Sequence, residues 1–369
     1  MTHHDAIVCG AGVIGLSLAL ELRKRGLRVL ILERAAPGGE SSHAAAGMLA
    51  CCAQEAPESH PHRALHALAE ASYRMYPGFV RAVETASGMK VDLRREGTLQ
   101  LLDAAEPLPS SESSRVLAPG ELARLEPRIA GEYRAVLLNE ATLDPRALCV
   151  ALERAARHDN IDLATGSPVT SLRFEAGKLT GVRTDRAEYA APIVVNCCGA
   201  WSAELESVDL ESSDGTTAST HLPTRPMKGQ MLSVVGAVPV VRHTICAHNV
   251  YLVPRTDGRL LIGATVEDVG FDKRVVPEAI QRLHQAAADL IPDIGEMKIH
   301  EAWAGLRPAT PDDLPILGPT SIPGYFVATG HFRDGILLAP ITARVMADLI
   351  TGAPPAFDLA PFSPDRFAK

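Results

Sequence analysis

Short apolar runs punctuated by glycine open the chain. Asp5-Ala-Ile-Val-Cys9 has the continuous hydrophobicity of a buried parallel strand. It meets Gly10-Ala-Gly12-Val13-Ile14-Gly15 and then a helical stretch with Ile14, Leu18 and Leu22 at i, i+4 and i+8. Gly26 ends that helix, and Leu27-Arg-Val-Leu-Ile-Leu-Glu33 predicts a second strand finishing on an acid. Ile193-Val-Val-Asn-Cys-Cys-Gly199-Ala200-Trp201 predicts another buried strand, running into a small-residue turn. Further strand-like runs lie at 97–102, 229–235, 250–254 and 259–263, with Arg255-Thr-Asp-Gly258 as a hairpin turn between the last two. Helices are predicted over 278–290 and 338–351. The stretch 204–220, rich in Ser, Thr, Asp and Glu, reads as a solvated loop.

The opening pattern carries a chemistry. Gly-x-Gly-x-x-Gly set between a strand and a helix, with an acid 18 residues after Gly15, is the dinucleotide-binding arrangement. Gly10 permits the tight turn, Gly12 lets backbone approach a pyrophosphate, and Gly15 lets helix and sheet pack closely. Val13 and Ile14 begin the helix whose N–H groups and dipole favour the negative charge. Glu33 is positioned to accept hydrogen bonds from a ribose diol, with Arg34 beside it. The pattern suits NAD and FAD alike. The next stretch of chain separates them. Instead of further strand–helix units it runs Pro37-Gly-Gly-Glu-Ser41-Ser42-His43-Ala44-Ala45-Ala46-Gly47-Met48-Leu49. Side chains this small let backbone lie against a flat ring, and the alanine run argues against a flexible loop.

Composition narrows the classes. At 369 residues the chain is long enough for two domains, and 46% apolar with 22% charged residues is a globular balance. A net charge of −8, no basic cluster and 4% aromatics argue against nucleic acid as a partner. No apolar run is long enough to span a membrane. Seven cysteines include the adjacent pairs Cys51-Cys52 and Cys197-Cys198 and show no zinc spacing. They read as free thiols in a reducing compartment, and the absence of a signal pattern at the start predicts a cytoplasmic protein. His60, His62 and His66, interrupted by Pro61, read as part of a solvated loop rather than a metal site.

Residues 10–33, the segment 41–49, Trp303-Ala-Gly-Leu-Arg307-Pro308 and Gly330-His331-Phe332-Arg333-Asp334-Gly335-Ile336-Leu337 together resemble the glycine oxidase branch of the D-amino-acid oxidase family. The resemblance runs from about Ala6 to Phe367. It implies an α/β fold in which a Rossmann-type FAD-binding domain (1–84, 142–222 and 303–369) is interleaved with a mainly antiparallel β-sheet substrate domain (85–141 and 223–302). It also implies roles. Arg307 anchors a substrate carboxylate, Tyr251 adds a hydrogen bond to it, and the Arg333 backbone carbonyl holds the amine. Val169 and Gly199 lie by the adenosine half of FAD, and Ser41, Ser42, Ala46, Gly47 and Met48 lie along the cofactor, with Met48 and Leu49 walling the pocket. His331 to Leu337 turn the chain so that a helix N-terminus faces the flavin's pyrimidine edge.

The implied activity is oxidation of glycine, sarcosine and small D-amino acids to an imine and then a 2-oxo acid. Molecular oxygen is the acceptor, the product supplies thiamin thiazole synthesis, and the enzyme is a homo-oligomer without membrane attachment. FAD should be non-covalent, because Gly305-Leu306 stands where sarcosine oxidases carry the linking cysteine and no cysteine comes after Cys246. Val266 replaces the methionine or lysine found near the flavin in relatives, which keeps open an FAD-dependent D-amino-acid dehydrogenase that uses a quinone. His43 replaces a small hydroxyl residue. A nicotinamide-dependent dehydrogenase and a flavin-binding protein without turnover are the remaining alternatives.

Overall fold

A computed structural model gives the fold and describes residues 3–50, 59–103, 114–206, 210–211, 217–218, 222–236 and 238–367. The first apolar run forms the strand Ala6–Cys9, wholly buried at the middle of a six-stranded sheet. The order across the sheet is Ile316–Pro319, Tyr325–Thr329, Ile193–Asn196, Ala6–Cys9, Val29–Leu32, Asp162–Ala164. Neighbours are parallel except at the Ile316–Pro319 edge. A parallel sheet needs cover on both faces. Ala6, Val8, Val29 and Ile31 face the helices Val13–Lys24, Pro145–His158 and Gly335–Ile350, while Ile7, Leu30 and Leu32 face a three-stranded antiparallel sheet over 169–190. The helix Val13–Lys24 is buried around most of its girth, so Leu18 and Leu22 are core while Ile14 is half-buried.

The long helix His60–Ser87 corrects the loop expected at the three histidines. Pro61 stands in the first turn, where no intrahelical N–H is needed, so it starts the helix instead of breaking it. This helix also repairs a defect in its neighbour. Gly335–Ile350 contains Pro340, which has no N–H for the Ile336 carbonyl one turn back. The Tyr76 hydroxyl donates to that carbonyl, and Ser72 donates to the Leu337 carbonyl at 2.6 Å.

The second large sheet has eight strands in the order Ile299–Ala309, Arg225–Val235, Arg259–Gly263, Tyr251–Pro254, Thr244–Cys246, Thr98–Leu102, Arg134–Leu138, Ser114–Val116. All neighbours are antiparallel except Thr244–Cys246 against Thr98–Leu102. The predicted hairpin closes with Arg255 N donating to Arg259 O at 2.9 Å. The helix Pro277–Leu290 packs Ile280, Leu283 and Ala287 against Leu232 and Val234 of this sheet. Ile299–Ala309 pairs with Arg225–Val235 from Ala309 back to Ile299, so it runs straight through the boundary expected at residue 303. Within the expected loop at 204–220, the turn Gly199–Glu206 is succeeded by the short pair Leu210–Glu211 and Thr217–Ala218; the rest, like Cys51 and Cys52, lies outside the described residues. Among the described residues no helix is long and apolar enough to cross a membrane.

Candidate active site

The glycine pattern builds a cradle at the carboxyl end of the first strand. Gly10 has φ 101°, and a Cβ there would stand 2.6 Å from the Cys197 carbonyl oxygen. A Cβ on Gly15 would lie 2.0 Å from the Gly10 carbonyl oxygen, so its absence is what lets the helix sit on the turn. Gly12 has no side chain with which to cap the helix it begins, so an anion can approach the positive end closely. Ser42 Oγ accepts from Val13 N at 3.0 Å and so ties the small-residue segment to this end. Buried Glu33 accepts from Ala11 N and Ala35 N, each at 2.8 Å. The turn itself braces the carboxylate, and its remaining lone pairs stay available to a ribose. Arg34 pairs with Glu40 at 2.6 Å and lies 3.5 Å over the Trp201 ring.

One cavity of about 660 Å³, well inside the range of ligand sites, joins this cradle to the second sheet. It passes from Glu33, Val169 and Gly199 along Gly12 and Ser41 to Met48, ending at Tyr251, Arg307 and Arg333. Every predicted site residue lines it except Gly15, Leu49, Asp334 and Leu337. Gly15 and Leu337 are buried at packing contacts instead. Asp334 stands half-buried behind the turn, where burial pushes its carboxyl up to about 6. Leu49, expected to wall the pocket with Met48, is fully buried in the core, because successive strand side chains point to opposite faces.

The segment Ser41 to Met48 is held carbonyl by carbonyl. Ser41 Oγ donates to Leu306 O. Arg146 Nε donates to His43 O at 3.2 Å, Trp303 Nε1 to Ala44 O at 3.1 Å, Arg255 Nη2 to Ala46 O, and Leu143 N to Gly47 O at 2.9 Å. Arg146, Arg255 and Trp303 were not legible as site residues, since each acts on a partner far along the chain. Burial, with the Arg146 charge, lowers the His43 pKa. A Cβ on Gly305 would meet Ala44 Cβ at 2.3 Å, so no side chain fits at 305. Burial pushes the cavity thiols of Cys9, Cys197 and Cys198 up, Cys198 to about 12, which keeps them as unreactive thiols.

At the far end Arg307 projects from Ile299–Ala309. Its Nη1 donates to Thr265 O at 3.2 Å and Lys228 O at 3.4 Å, and the guanidinium also interacts with the Tyr251 hydroxyl. Gly229 makes the space: a Cβ there would lie 2.4 Å from Nη1. Gly263 does the same for Tyr251, whose ring a Cβ would meet at 2.6 Å. The Tyr251 hydroxyl contacts Met231 Sδ at 3.5 Å, and burial pushes the phenol up to about 12, so it remains a donor. Buried Lys228 and Gln230 gather around Glu267, which also accepts from Thr265 Oγ1; this network fixes the Thr265 carbonyl under Arg307. Burial chiefly, and the charge of Arg333, lower the Arg307 pKa. Phe332 takes φ 45° and its N–H donates to Pro308 O at 2.9 Å, turning the chain so that Gly335 starts a helix with no side-chain cap.

A dinucleotide cradle on one sheet and a guanidinium–phenol pair on another, facing one cavity, define an oxidoreductase that carries its cofactor and its substrate on separate layers. The residues fit FAD: both uncapped helix ends border the cavity and Ser41 to Met48 give a wall of small side chains between them. The chain belongs to the FAD dependent oxidoreductase family, whose model matches residues 5–349, and FAD is its cofactor. Glycine oxidase of Geobacillus kaustophilus is 34% identical over 99% of this chain and 98% of its own length. The crystal structure of glycine oxidase from that organism superposes with a TM-score of 0.89 at 32% identity, covering 100% of both chains. The bifunctional protein ThiO/ThiG of Trichormus variabilis is 35% identical over 99% of this chain, which spans 55% of that longer protein.

Proposed function

We propose that the chain oxidises glycine and other small amines, including sarcosine and small D-amino acids, and that the product serves thiamin thiazole synthesis. The observation that carries this reading is the half-buried Arg307 guanidinium beside the Tyr251 hydroxyl at the end of the FAD cavity. A guanidinium fork and a phenol donor are matched to one small carboxylate. Full-length similarity to glycine oxidases supports the same substrate.

FAD, held along Gly10 to Gly15, Glu33 and Ser41 to Met48, would supply the two-electron acceptor for the amine, with molecular oxygen taking the electrons on as hydrogen peroxide. The chain's own residues orient the reactants. Arg307 and Tyr251 hold the carboxylate, and the Arg333 carbonyl accepts a hydrogen bond from the amine, leaving its lone pair aligned with the C–H bond. Met48, Met231 and Ala264 line the same end and keep water from it. Orientation of this kind replaces a dedicated base. The imine hydrolyses after release to a 2-oxo acid and ammonia or an amine. FAD is held without a covalent bond, since no side chain fits at 305.

Mixing the flavin-loaded protein with glycine in the absence of air should bleach the visible flavin absorbance, and admitting air should restore it with one peroxide per glycine. An unbleached flavin at saturating glycine, sarcosine and D-alanine would sink the proposal.

A further inference from the structure

Trp303, Arg146 and Arg255 all donate to carbonyls of the cofactor wall, yet they bring different charges to it. Trp303, on Ala44 O, is neutral. Arg146, on His43 O, is neutralised by Glu301, whose carboxylate its Nη groups reach at 2.8 and 3.1 Å. Arg255, on Ala46 O, is 3% exposed, and among the described residues no carboxylate lies within ion-pair distance of it. Its Nη1, equally buried, donates to nothing among them. Asp144 and Asp92 act on it only through space. Both are engaged elsewhere: Asp144 accepts from Arg259 at 2.8 Å and caps the helix Pro145–His158, and Asp92 accepts from Thr256 Oγ1 at 2.6 Å. Burial lowers the Arg255 pKa to about 10, which leaves the guanidinium charged at neutral pH. Taking that charge out of water for one bond to a neutral carbonyl is costly, and a neutral donor does the same work at Ala44.

The peptide that Arg255 holds faces two ways. Ala46 and Gly47 line the cavity, and Arg255 lies behind them. The C=O and N–H of a trans peptide point in opposite directions. Drawing Ala46 O toward Arg255 therefore turns the Gly47 N–H the other way, where among the described residues no acceptor meets it. One peptide thus carries a buried cation at its oxygen and an unused donor on its far side. Both favour negative charge in the cavity. Two-electron reduction adds such charge to a flavin ring. We infer that Arg255 is a positioning residue for the cofactor, and that its uncompensated charge, acting through the Ala46–Gly47 peptide, raises the reduction potential of bound FAD. This rests on FAD as the cofactor and holds whichever amine the site takes.

The test is the midpoint potential of the flavin-loaded protein, read against a reference dye during slow reduction by dithionite. No amine enters, so the result is separate from whether glycine is oxidised. A unit charge acting across about 10 Å of protein changes an equilibrium constant about tenfold. Arg255→Gln, which keeps a donor and loses the charge, should therefore make two-electron reduction about tenfold less favourable, a fall of about 30 mV. Arg255→Met, which loses the donor as well, should fall by at least as much. Asp92→Asn removes a carboxylate that opposes Arg255 and should move the potential upward. Asp92 makes no contact with the wall, so this variant decides the matter if the Arg255 variants do not fold or hold flavin. A fall confined to Arg255→Met would assign the effect to the hydrogen bond alone and overturn the inference. So would weaker flavin binding at an unchanged potential in Arg255→Gln, which marks a purely structural arginine, or an unmoved potential in Asp92→Asn.

Discussion

Gly229 offers a way to move the guanidinium proposed to anchor the substrate without altering any charge. The residue lies in the extended strand Arg225–Val235, so its backbone accepts alanine. The new methyl would stand 2.4–2.6 Å from the Arg307 guanidinium, where ordinary contact begins at 3.4 Å. Arg307 must therefore retreat by about 1 Å, and its Nη1 bonds to Thr265 and Lys228 must stretch or break. A displacement of that size in a substrate-positioning group costs about 100-fold in rate, or about 2.7 kcal/mol. The assay is rapid mixing with glycine in the absence of air, monitoring flavin absorbance across a range of glycine concentration. Gly229→Ala should need far more glycine for the same rate while keeping its flavin. Gly263→Ala is the companion: a methyl 2.6 Å from the Tyr251 ring displaces a neutral donor, and the loss should be nearer tenfold. If Gly229→Ala keeps the wild-type dependence on glycine, Arg307 does not hold the carboxylate.

Tyr76→Phe removes the donor from the Ile336 carbonyl, which Pro340 cannot replace, and should cost about 1–3 kcal/mol as a buried unpaired carbonyl. Adding Pro340→Ala restores an N–H one turn on and should return most of that loss, read as melting temperatures of the four proteins; strictly additive effects would show that the hydroxyl is not standing in for the missing N–H. His331 sets an acid limit on stability. Burial lowers its pKa to about 3 from 6.5, so below pH 6.5 the unfolded chain takes up a proton that the native imidazole refuses. Its contribution is complete above pH 6.5 and falls by up to about 1.4 kcal/mol per pH unit as pH drops toward 3. Urea unfolding between these limits should show a shallower slope in His331→Asn, and identical slopes would refute the assignment.

What could be read along the chain divides by the distance between interacting groups. Gly10, Gly12, Gly15 and Glu33 act on one another within a single strand–helix–strand unit, so their spacing already states their geometry. Arg307 and the 330–337 turn were legible because a short motif carries them. The strand around Trp303 belongs to the other layer than the one expected, since an apolar run does not say which of two sheets it joins; its pairing with Arg225–Val235 settles that. Pro61 misleads because a proline looks the same whether it breaks a helix or starts one. The least legible residues are Tyr76, Arg146, Arg255 and Trp303, which donate to carbonyls 260, 103, 209 and 259 positions away. Yet the need for such donors could be read. Pro340 inside an apolar helix leaves one carbonyl unpaired, and a buried irregular run such as Ala44-Ala45-Ala46 leaves several. A buried carbonyl requires a donor and says nothing of where it comes from. Here the donors to the cofactor wall come from the helix Pro145–His158, the strand Ile299–Ala309 and the hairpin turn at Arg255, on both sides of the cavity. Ser41 to Met48 can therefore reach their final shape only once the two sheets have docked, and the cofactor site is a property of that docking rather than of the glycine cradle alone.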